Sequence, residues 1–319
     1  MRHFLTLGDF SKEEIVEMLQ VAIQIKKDFL NKKDCNLMHR KILGMIFEKN
    51  STRTRVSFEA GIYQLGGTGI FLSNKEIQLS RGESIADTAR VIGSMVDMVM
   101  IRTFEHSRLE EFAKHCKVPV INGLSDLYHP TQVMADYLTM IENGFFIEDD
   151  FKEYSYKAKP KVAYIGDGNN MTHSWMMLAA KMGFDISIAT PREYAPNKEV
   201  VQEAQKIAKK SGSNLFLCED PIEAISQCNV VVTDTWVSMG QEDQKEKKQE
   251  IFHRYKIDNK MMQYADSQAI FLHCLPAYRG QEVSSEVIDG EQSRVFQEAE
   301  NRLHAQKGIM VWLYQNSKR

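Results

Sequence analysis

The sequence predicts an α/β protein with two doubly wound parallel-sheet domains and a C-terminal helix that packs back across them. Short apolar runs alternate with amphipathic helical patterns along the 319 residues, and this alternation is typical of parallel strands joined by crossover helices. A polar, acidic stretch at 143–159 interrupts the alternation, which then begins again. We therefore expect domains at 1–145 and 146–290, and a returning helix at 291–319.

The first half contains four predicted strands, and helical patterns separate most of them. Ser11 and Glu14 form a capping box that begins a helix running towards Leu30. The predicted strands lie at 41–47, 70–72, 98–101 and 118–121. Because ligands bind beyond the carboxyl ends of parallel strands, the residues that follow these runs are candidate site residues.

The second half repeats the pattern, with predicted strands at 161–165, 184–188, 215–218, 230–233 and 269–272. Gly166 and Gly168 begin a turn that is similar to a dinucleotide-binding loop, but Met171 occupies the third glycine position and no acid follows the next strand. We therefore predict no dinucleotide. The charged stretch 241–250 fits either a solvated helix or a mobile segment that closes over substrate.

Composition argues against several classes of function. A formal net charge of −3 gives no long-range attraction to nucleic acid or anionic membranes, although it permits a local basic pocket. We find no apolar run of about 18 residues and no charged-then-apolar leader, so we expect neither a membrane span nor a signal peptide. Five scattered cysteines without a C-x-x-C pair indicate a reducing compartment and argue against a structural zinc site. We expect a soluble, cytoplasmic protein.

The most informative stretch, 48–55, lies between the first strand and the following helical pattern. Ser51 or Thr52 can cap this helix, which leaves backbone N–H groups and the positive end of the helix dipole for an oxyanion. Arg53 and Arg55 add forked, charge-assisted donors that suit a phosphate group. The stretch lacks the glycines of a nucleotide-binding P-loop. Locally, a capped surface helix with exposed arginines fits equally well.

Other polar residues also follow predicted strands. In the first half these are Arg102 and the run from His129 to Gln132, which together with the 48–55 stretch predict one site built from three loops. In the second half the strand ends present Asn170, Asp234 and Cys274. A lone arginine after a strand is often a surface charge, and a cysteine is often a small buried residue.

Four motifs, in this order, resemble the aspartate and ornithine carbamoyltransferases, from about Leu5 to Trp312. They are Ser51-Thr52-Arg53-Thr54-Arg55, His129-Pro130-Thr131-Gln132, Asp234 with Ser238-Met239-Gly240, and His273-Cys274-Leu275-Pro276. The last two resemble the ornithine branch. The resemblance implies transfer of a carbamoyl group from carbamoyl phosphate to the side-chain amine of L-ornithine, giving L-citrulline and phosphate. The same reaction serves arginine biosynthesis or, in reverse, arginine catabolism.

The resemblance also implies roles for individual residues, with carbamoyl phosphate bound by the first domain and ornithine by the second. The implied carbamoyl-phosphate contacts are Ser51, Thr52, Arg53, Thr54, Gln78, Arg102, His129, Gln132, Cys274, Leu275 and Arg302. The implied ornithine contacts are Asn170, Asp234, Ser238 and Met239. The residues implied in the chemistry itself are Asp234, Cys274, Arg102 and His129. No metal ion and no organic cofactor is expected.

A homotrimer with shared sites is a further implication, in which Gln78 of the polar loop 73–83 serves the neighbouring subunit. Arg302, in the predicted tail helix, is either a surface charge or a residue that reaches the site. Tyr278 stands where many relatives have His. This difference puts in doubt only the residues around the site, not the residues implied to contact the substrates.

Three other functions compete with this one. A sister transferase would use putrescine or an acylated ornithine, but Ser238-Met239-Gly240 favours free ornithine. A non-catalytic anion or amino-acid binding module would explain the phosphate cradle without requiring Asp234 and Cys274 together. An NAD-dependent dehydrogenase is disfavoured by the missing third glycine at Met171.

Overall fold

The computed structural model describes residues 1–73, 82–145, 156, 158–237 and 242–317. The chain divides into two compact units, with unit 1 formed by Met1–Leu138 and Glu300–Arg319 and unit 2 by Thr139–Ala299. In the described residues each unit contains one parallel β-sheet flanked by helices, which confirms the predicted fold class.

Unit 1 is built on a four-stranded sheet in which all neighbouring strands are parallel. Its strands are β1 (Ile42–Phe47), β2 (Thr68–Ser73), β3 (Met98–Arg102) and β4 (Val120–Leu124). Their spatial order is β2-β1-β3-β4, so the winding direction reverses between β1 and β3. In doubly wound sheets the crevice beyond the carboxyl ends at such a reversal is where ligands bind.

The helices of unit 1 follow the predicted periodicity. They are α1 (Lys12–Leu30), α2 (Thr52–Gln64), α3 (Ile85–Met95), α4 (His106–His115) and α5 (Pro130–Glu142), which continues into unit 2. The predicted capping box of α1 is confirmed, because Ser11 accepts from the Glu14 N–H and Glu14 accepts from the Ser11 N–H. Apolar side chains of β1, β3 and α4, such as Ile46, Val99 and Phe112, form a buried core.

Unit 2 is built on a five-stranded parallel sheet. Its strands are β5 (Lys161–Ile165), β6 (Asp185–Ala189), β7 (Leu215–Cys218), β8 (Val230–Thr233) and β9 (Ile270–His273). The spatial order is β7-β6-β5-β8-β9, and the winding reverses between β5 and β8. A second crevice of the same kind is therefore expected beyond the ends of β5 and β8.

Helices cover this second sheet, and a long helix ends the chain. They are α6 (Asn170–Met182), α7 (Lys198–Ser211), α8 (Pro221–Ile225), α9 (Lys245–Phe252), α10 (Asn259–Met262), α11 (Ser285–Ile288) and α12 (Val295–Asn316). Helix α12 begins in unit 2 and ends in unit 1. Helix α9 occupies most of the charged stretch, as the solvated-helix interpretation predicts, except that Lys248 is buried.

All five cysteines are free thiols, which agrees with the absence of a paired cysteine pattern in the sequence. In the part of the chain that the structure describes, no helix combines the length and apolar character needed to cross a membrane.

Candidate active site

The phosphate cradle predicted at 48–55 is a helix N-terminus at the reversal point of the unit 1 sheet. Helix α2 begins directly after the loop that follows β1. Ser51 is its N-cap, and the Ser51 hydroxyl accepts a hydrogen bond from the Thr54 N–H at 3.2 Å. The first turn of α2 therefore offers backbone donors and a positive dipole end beyond the sheet.

The charged groups of this cradle donate hydrogen bonds to one buried hydroxyl, Thr54 Oγ1. The Arg302 guanidinium donates to it at 2.8 Å, Arg102 donates at 3.4 Å, and Ser51 Oγ donates at 3.0 Å. Thr54 is fully buried, and Arg102 and Arg302 are 7% and 3% exposed. Arg302 is therefore not a surface charge. Two cationic groups that meet at one hydroxyl create a strongly positive pocket.

The electrostatics of this pocket keep its histidine neutral. Burial, followed by the nearby charges of Arg302, Arg102 and Arg53, lowers the pKa of His129 well below its usual range. Burial and Arg102 likewise lower the pKa of Lys49. A neutral imidazole can donate one hydrogen bond to a carbonyl oxygen without adding further positive charge.

Gln132 lies on the first turn of α5 and is fixed by a partner that sequence reasoning missed. Its side-chain NH2 donates to Asp136 Oδ1 at 2.7 Å, and both residues are fully buried. This bond turns the amide so that its carbonyl oxygen is the acceptor end, which suits a ligand NH2 group. The i, i+4 spacing of the two residues was the available sequence signal.

In unit 2, Asp234 and Cys274 come together at the ends of β8 and β9. The Cys274 thiol donates to Asp234 Oδ1 at 3.1 Å, and the Thr235 N–H donates to the same oxygen at 2.7 Å. Asp234 Oδ2 accepts from Asn169 Nδ2 at 3.3 Å. Three hydrogen-bond donors thus hold the carboxylate in one orientation. The carboxylate lies where the strand order of the sheet reverses.

The sequence prediction at the start of α6 selected Asn170, whereas the structure places its neighbour Asn169 on Asp234. Asn169 caps α6 by accepting from the Met171 N–H, and its amide also reaches the Asp234 carboxylate. Asn170 is the first residue of the helix, and its backbone oxygen accepts from Ser174. Both asparagines follow β5, so their position after the strand does not show which of them contacts Asp234.

The loop that carries Cys274 is held in place by hydrogen bonds of His273 and of two buried carboxylates, those of Glu282 and Glu298. The His273 N–H donates to Glu298 at 2.8 Å, and His273 Nδ1 accepts from the Leu275 N–H at 3.0 Å. His273 Nε2 therefore bears the proton and faces Glu282 Oε1 at 3.3 Å. Leu275 has a φ of +55°, a strained value for a residue with a branched side chain.

Glu282 also contacts Tyr278, the residue that stands where many relatives have His, through the backbone. The Tyr278 backbone N–H donates to Glu282 Oε1, while the Tyr278 side chain is half exposed. The contact on this side of the loop therefore does not depend on which side chain residue 278 carries.

Asp234, His273 and Cys274 lie close enough to be considered as metal ligands, with one donor atom of each within 4.8 Å of the others. Both nitrogens of His273 are already engaged, however, by the Leu275 N–H and by Glu282. The donor set that remains is one carboxylate and one thiol that are hydrogen-bonded to each other. These residues suit an amine better than a metal ion.

A second buried pair lies near this carboxylate and was not predicted. Lys248 of α9 donates to Asp167 Oδ2 at 2.6 Å, and Lys248 is 1% exposed. Burial raises the pKa of Asp167 although the Lys248 charge opposes the shift, and burial followed by Asp234 raises the pKa of Tyr164 well above its usual value. The position of Asp167 directly after β5 was the signal available in the sequence. Gln78, Ser238 and Met239 lie outside the described residues.

The chain is similar to known proteins along nearly its whole length. Two family models match: the carbamoyl-phosphate-binding domain of aspartate/ornithine carbamoyltransferase over residues 2–142, and its aspartate/ornithine-binding domain over 158–313. An ornithine carbamoyltransferase of Wolinella succinogenes is 62% identical over 313 residues, which is 98% of each chain. A crystal structure of the anabolic ornithine carbamoyltransferase of Campylobacter jejuni shares 48% identity with a TM-score of 0.92 and covers 100% of both chains.

A more distant structure agrees. The ornithine carbamoyltransferase of Pyrococcus furiosus is 42% identical with a TM-score of 0.92, covering 99% of this chain and 97% of that one. The family models, the sequence relatives and the solved structures all match nearly the whole chain, and the chain therefore belongs to the aspartate/ornithine carbamoyltransferase family.

Proposed function

We propose that the protein transfers the carbamoyl group of carbamoyl phosphate to the side-chain amine of L-ornithine, forming L-citrulline and phosphate. The observation that carries the proposal is the Asp234–Cys274 pair of unit 2, which accompanies the cationic cradle around Thr54 in unit 1. An anion-binding module needs the cradle alone. A carboxylate held ready for an amine is required only if the second ligand carries an amine.

In unit 1, we assign carbamoyl phosphate to the first turn of α2 and its arginines. Arg53, Arg102 and Arg302 would bind the phosphate oxygens, together with the hydroxyls of the Ser51–Thr54 run. His129 would donate to the carbonyl oxygen, where negative charge develops during attack. Removing one such preorganised donor typically costs about 2.7 to 4 kcal/mol of transition-state stabilisation.

In unit 2, we assign ornithine to the surroundings of Asp234. Its carboxylate would attract and orient the side-chain amine, with the Cys274 thiol beside it. The ammonium group must first lose a proton to solvent. Its nitrogen then bonds to the carbonyl carbon, and the bond from that carbon to the phosphate oxygen breaks with its electron pair going to phosphate. The second proton that the nitrogen loses passes to the departing phosphate. Asn170, Ser238 and Met239 remain our assignments for the amino-acid part. Positioning of the two reactants can contribute about 7 to 11 kcal/mol.

Steady-state turnover with carbamoyl phosphate and four acceptors tests this function. We expect citrulline formation from ornithine to exceed product formation from putrescine, N-acetylornithine and aspartate. A preference for putrescine or N-acetylornithine would instead identify a sister transferase. Binding of carbamoyl phosphate without turnover of any acceptor would identify a binding module.

We further propose that the protein works in the cytoplasm as a homotrimer. Unit 1 exposes several large apolar side chains, among them Val56, Tyr63, Ile70, Val91 and Met95. Val56 and Tyr63 are two turns apart on α2, and Ile70 lies on the edge strand β2, which leads into the loop of Gln78. Exposed apolar groups of this kind favour self-association.

Light scattering of the purified protein tests the assembly. We expect the mass of a trimer or a multiple of it, from a chain mass of 36.7 kDa. If neighbouring subunits share each site, mixed trimers of Arg53→Ala and Gln78→Ala chains should regain part of the activity that each parent lacks. A monomer, or hybrids without recovery, would contradict the shared site.

A further inference from the structure

Unit 1 contains a cavity whose residues take no part in the proposed reaction. It has a volume of about 650 Å³ and lies among the end of α1, the segment that follows it, the end of α2, and Lys307 of α12. Small-molecule sites in proteins commonly have volumes of about 300 to 1,000 Å³ and combine apolar walls with a few polar groups.

Lys307 is the most unusual of the lining residues. Its stem passes over Gly61, where an added Cβ would lie 3.4 Å from Lys307 Cγ. Its Nζ donates to Gln64 Oε1 at 2.9 Å and lies 4.7 Å from the centre of the Phe29 ring, and among the described residues it forms no ion pair with a carboxylate. Lys307 is 1% exposed. A buried ammonium group with only these neutral contacts is poorly compensated.

The titration of Lys307 agrees with this geometry. Burial lowers the pKa of Lys307 to about 8. Cys35 opposes this shift, and the neighbouring charge of Lys26 acts in the same direction as burial. An anion placed beside the amine would favour its charged form and raise this pKa again. Strongly perturbed groups in a cavity are candidates for ligand binding.

The rest of the lining is also cationic and apolar. Lys32 and Lys33 line the cavity with Lys307, and Asp34 is the single carboxylate among the described lining residues. Apolar and aromatic walls come from Ile25, Phe29, Leu30 and Tyr63. This combination complements a ligand that joins an acidic group to an apolar body.

We propose that the cavity binds a small organic carboxylate, with its acid group on Lys307 and its apolar body against Phe29, Leu30 and Tyr63. The site is independent of the carbamoyl-phosphate cradle, so it does not depend on the proposed reaction. Because the anion stabilises the charged amine, binding takes up a proton when the pH is above about 8, and affinity falls as the pH rises through that value.

Calorimetric titration of the full-length protein with 1-naphthoate tests the proposal. At a pH just above 8, we expect saturable binding whose heat differs between two buffers of different ionisation enthalpy, as proton uptake requires. Lys307→Met keeps the length of the side chain but removes its charge, and should weaken binding by about tenfold or more. Lys27→Met is the matched control, because Lys27 is exposed on the neighbouring α1 and does not line the cavity. It should bind as the wild type does.

Three results would overturn the proposal: no saturable binding by the wild type, equal affinity in Lys307→Met, or inorganic phosphate binding as tightly as naphthoate. The buffer dependence of the wild type is a second readout that needs no variant. Its absence would contradict the role of Lys307 even if Lys307→Met failed to fold.

Discussion

The two units use the same architectural position for opposite electrostatic purposes. At the reversal point of the unit 1 sheet, Arg102 and Arg302 converge on the Thr54 hydroxyl, and burial together with these charges keeps His129 neutral. At the reversal point of the unit 2 sheet, a carboxylate is oriented by a thiol and an amide. One fold element, repeated in the chain, thus carries cationic groups in unit 1 and a carboxylate in unit 2, and the difference lies in the side chains after each strand.

Removing the negative charge of the unit 2 site should have the largest effect on catalysis. We expect Asp234→Asn to reduce citrulline formation by a factor equivalent to about 2 to 5 kcal/mol, because the substrate cation loses its charged partner. The new amide would also place a donor against Asn169 or Cys274. Steady-state assays with ornithine measure the loss.

Asp258→Asn is a suitable control, because Asp258 caps α10 in the same unit and asparagine caps helices equally well. We expect its turnover to match the wild type. Wild-type turnover by Asp234→Asn itself would show that the amine is recognised elsewhere.

Removing one cation from unit 1 should have the next largest effect. Arg53→Ala should weaken carbamoyl phosphate binding by about 1.5 to 3 kcal/mol, the range for charge-assisted hydrogen bonds. Arg55→Ala is the matched control two residues along α2, because Arg55 is exposed and pairs with Glu59 at 3.2 Å. Calorimetry should detect little change for that variant. Equal losses in both variants would mean that general surface charge, rather than a cradle, attracts the ligand.

The support beneath Cys274 should have a smaller effect, and one that depends on the substituent. Both hydrogen bonds of Glu282 end on Oε1, so Glu282→Gln can preserve them with its carbonyl oxygen. Glu282→Ala leaves the His273 ring and the Tyr278 N–H without this partner, at a cost of about 1 to 3 kcal/mol for each buried group. We expect Glu282→Ala to impair turnover with ornithine, and Glu282→Gln to retain most of it.

Carbamoyl phosphate affinity distinguishes positioning from a general loss of structure in these variants. It should remain at the wild-type value in Glu282→Ala. Equal impairment by Gln and Ala would contradict a role that depends on an acceptor oxygen.

The units should also respond differently to acid, which gives the smallest of these effects. Burial lowers the pKa of His304 in unit 1 to about 3, so between pH 6.5 and 3 the unfolded chain binds a proton that the folded chain does not. The contribution of neutral His304 to the free energy of unfolding is therefore complete above pH 6.5 and is lost as the pH falls below that value. In unit 2 the pKa of Asp167 is raised instead. Protonation of Asp167 in acid therefore removes a buried charge and favours the folded state.

His304→Leu should therefore reduce the loss of stability between pH 7 and pH 5, by up to about 2 kcal/mol. Both ring nitrogens of His304 are buried without hydrogen-bond partners among the described residues, so leucine sacrifices no bond. Urea unfolding at the two pH values measures the difference. An unchanged pH dependence would show that His304 is already protonated or solvated in the folded state.

Sequence reasoning located the nine described strands and most helices, because both sheets are buried and each strand is a short apolar run. It selected Ser51 to Arg55 because these polar residues are contiguous, and it selected Asp234 and Cys274 because both follow strands. These are local signals, and the strand-end rule converts them into a position in space.

The buried partners could not be predicted in the same way. Asp167 and Lys248 are 81 residues apart, and Lys248 lies in a charged stretch whose other residues gave no reason to bury it. Glu282 is nine residues from His273, which matches neither helical nor strand periodicity. Such pairs depend on how distant elements approach each other, and that information is absent from any single stretch of sequence.

The most direct test of the account is the affinity of the Asp234→Asn variant for carbamoyl phosphate, measured calorimetrically beside the wild type. If unit 1 alone recognises the phosphate, the dissociation constant should stay within about threefold of the wild-type value, or ~0.7 kcal/mol, although citrulline formation is lost. A loss of affinity as large as that of Arg53→Ala would contradict the division of recognition between an anion site in unit 1 and an amine site in unit 2.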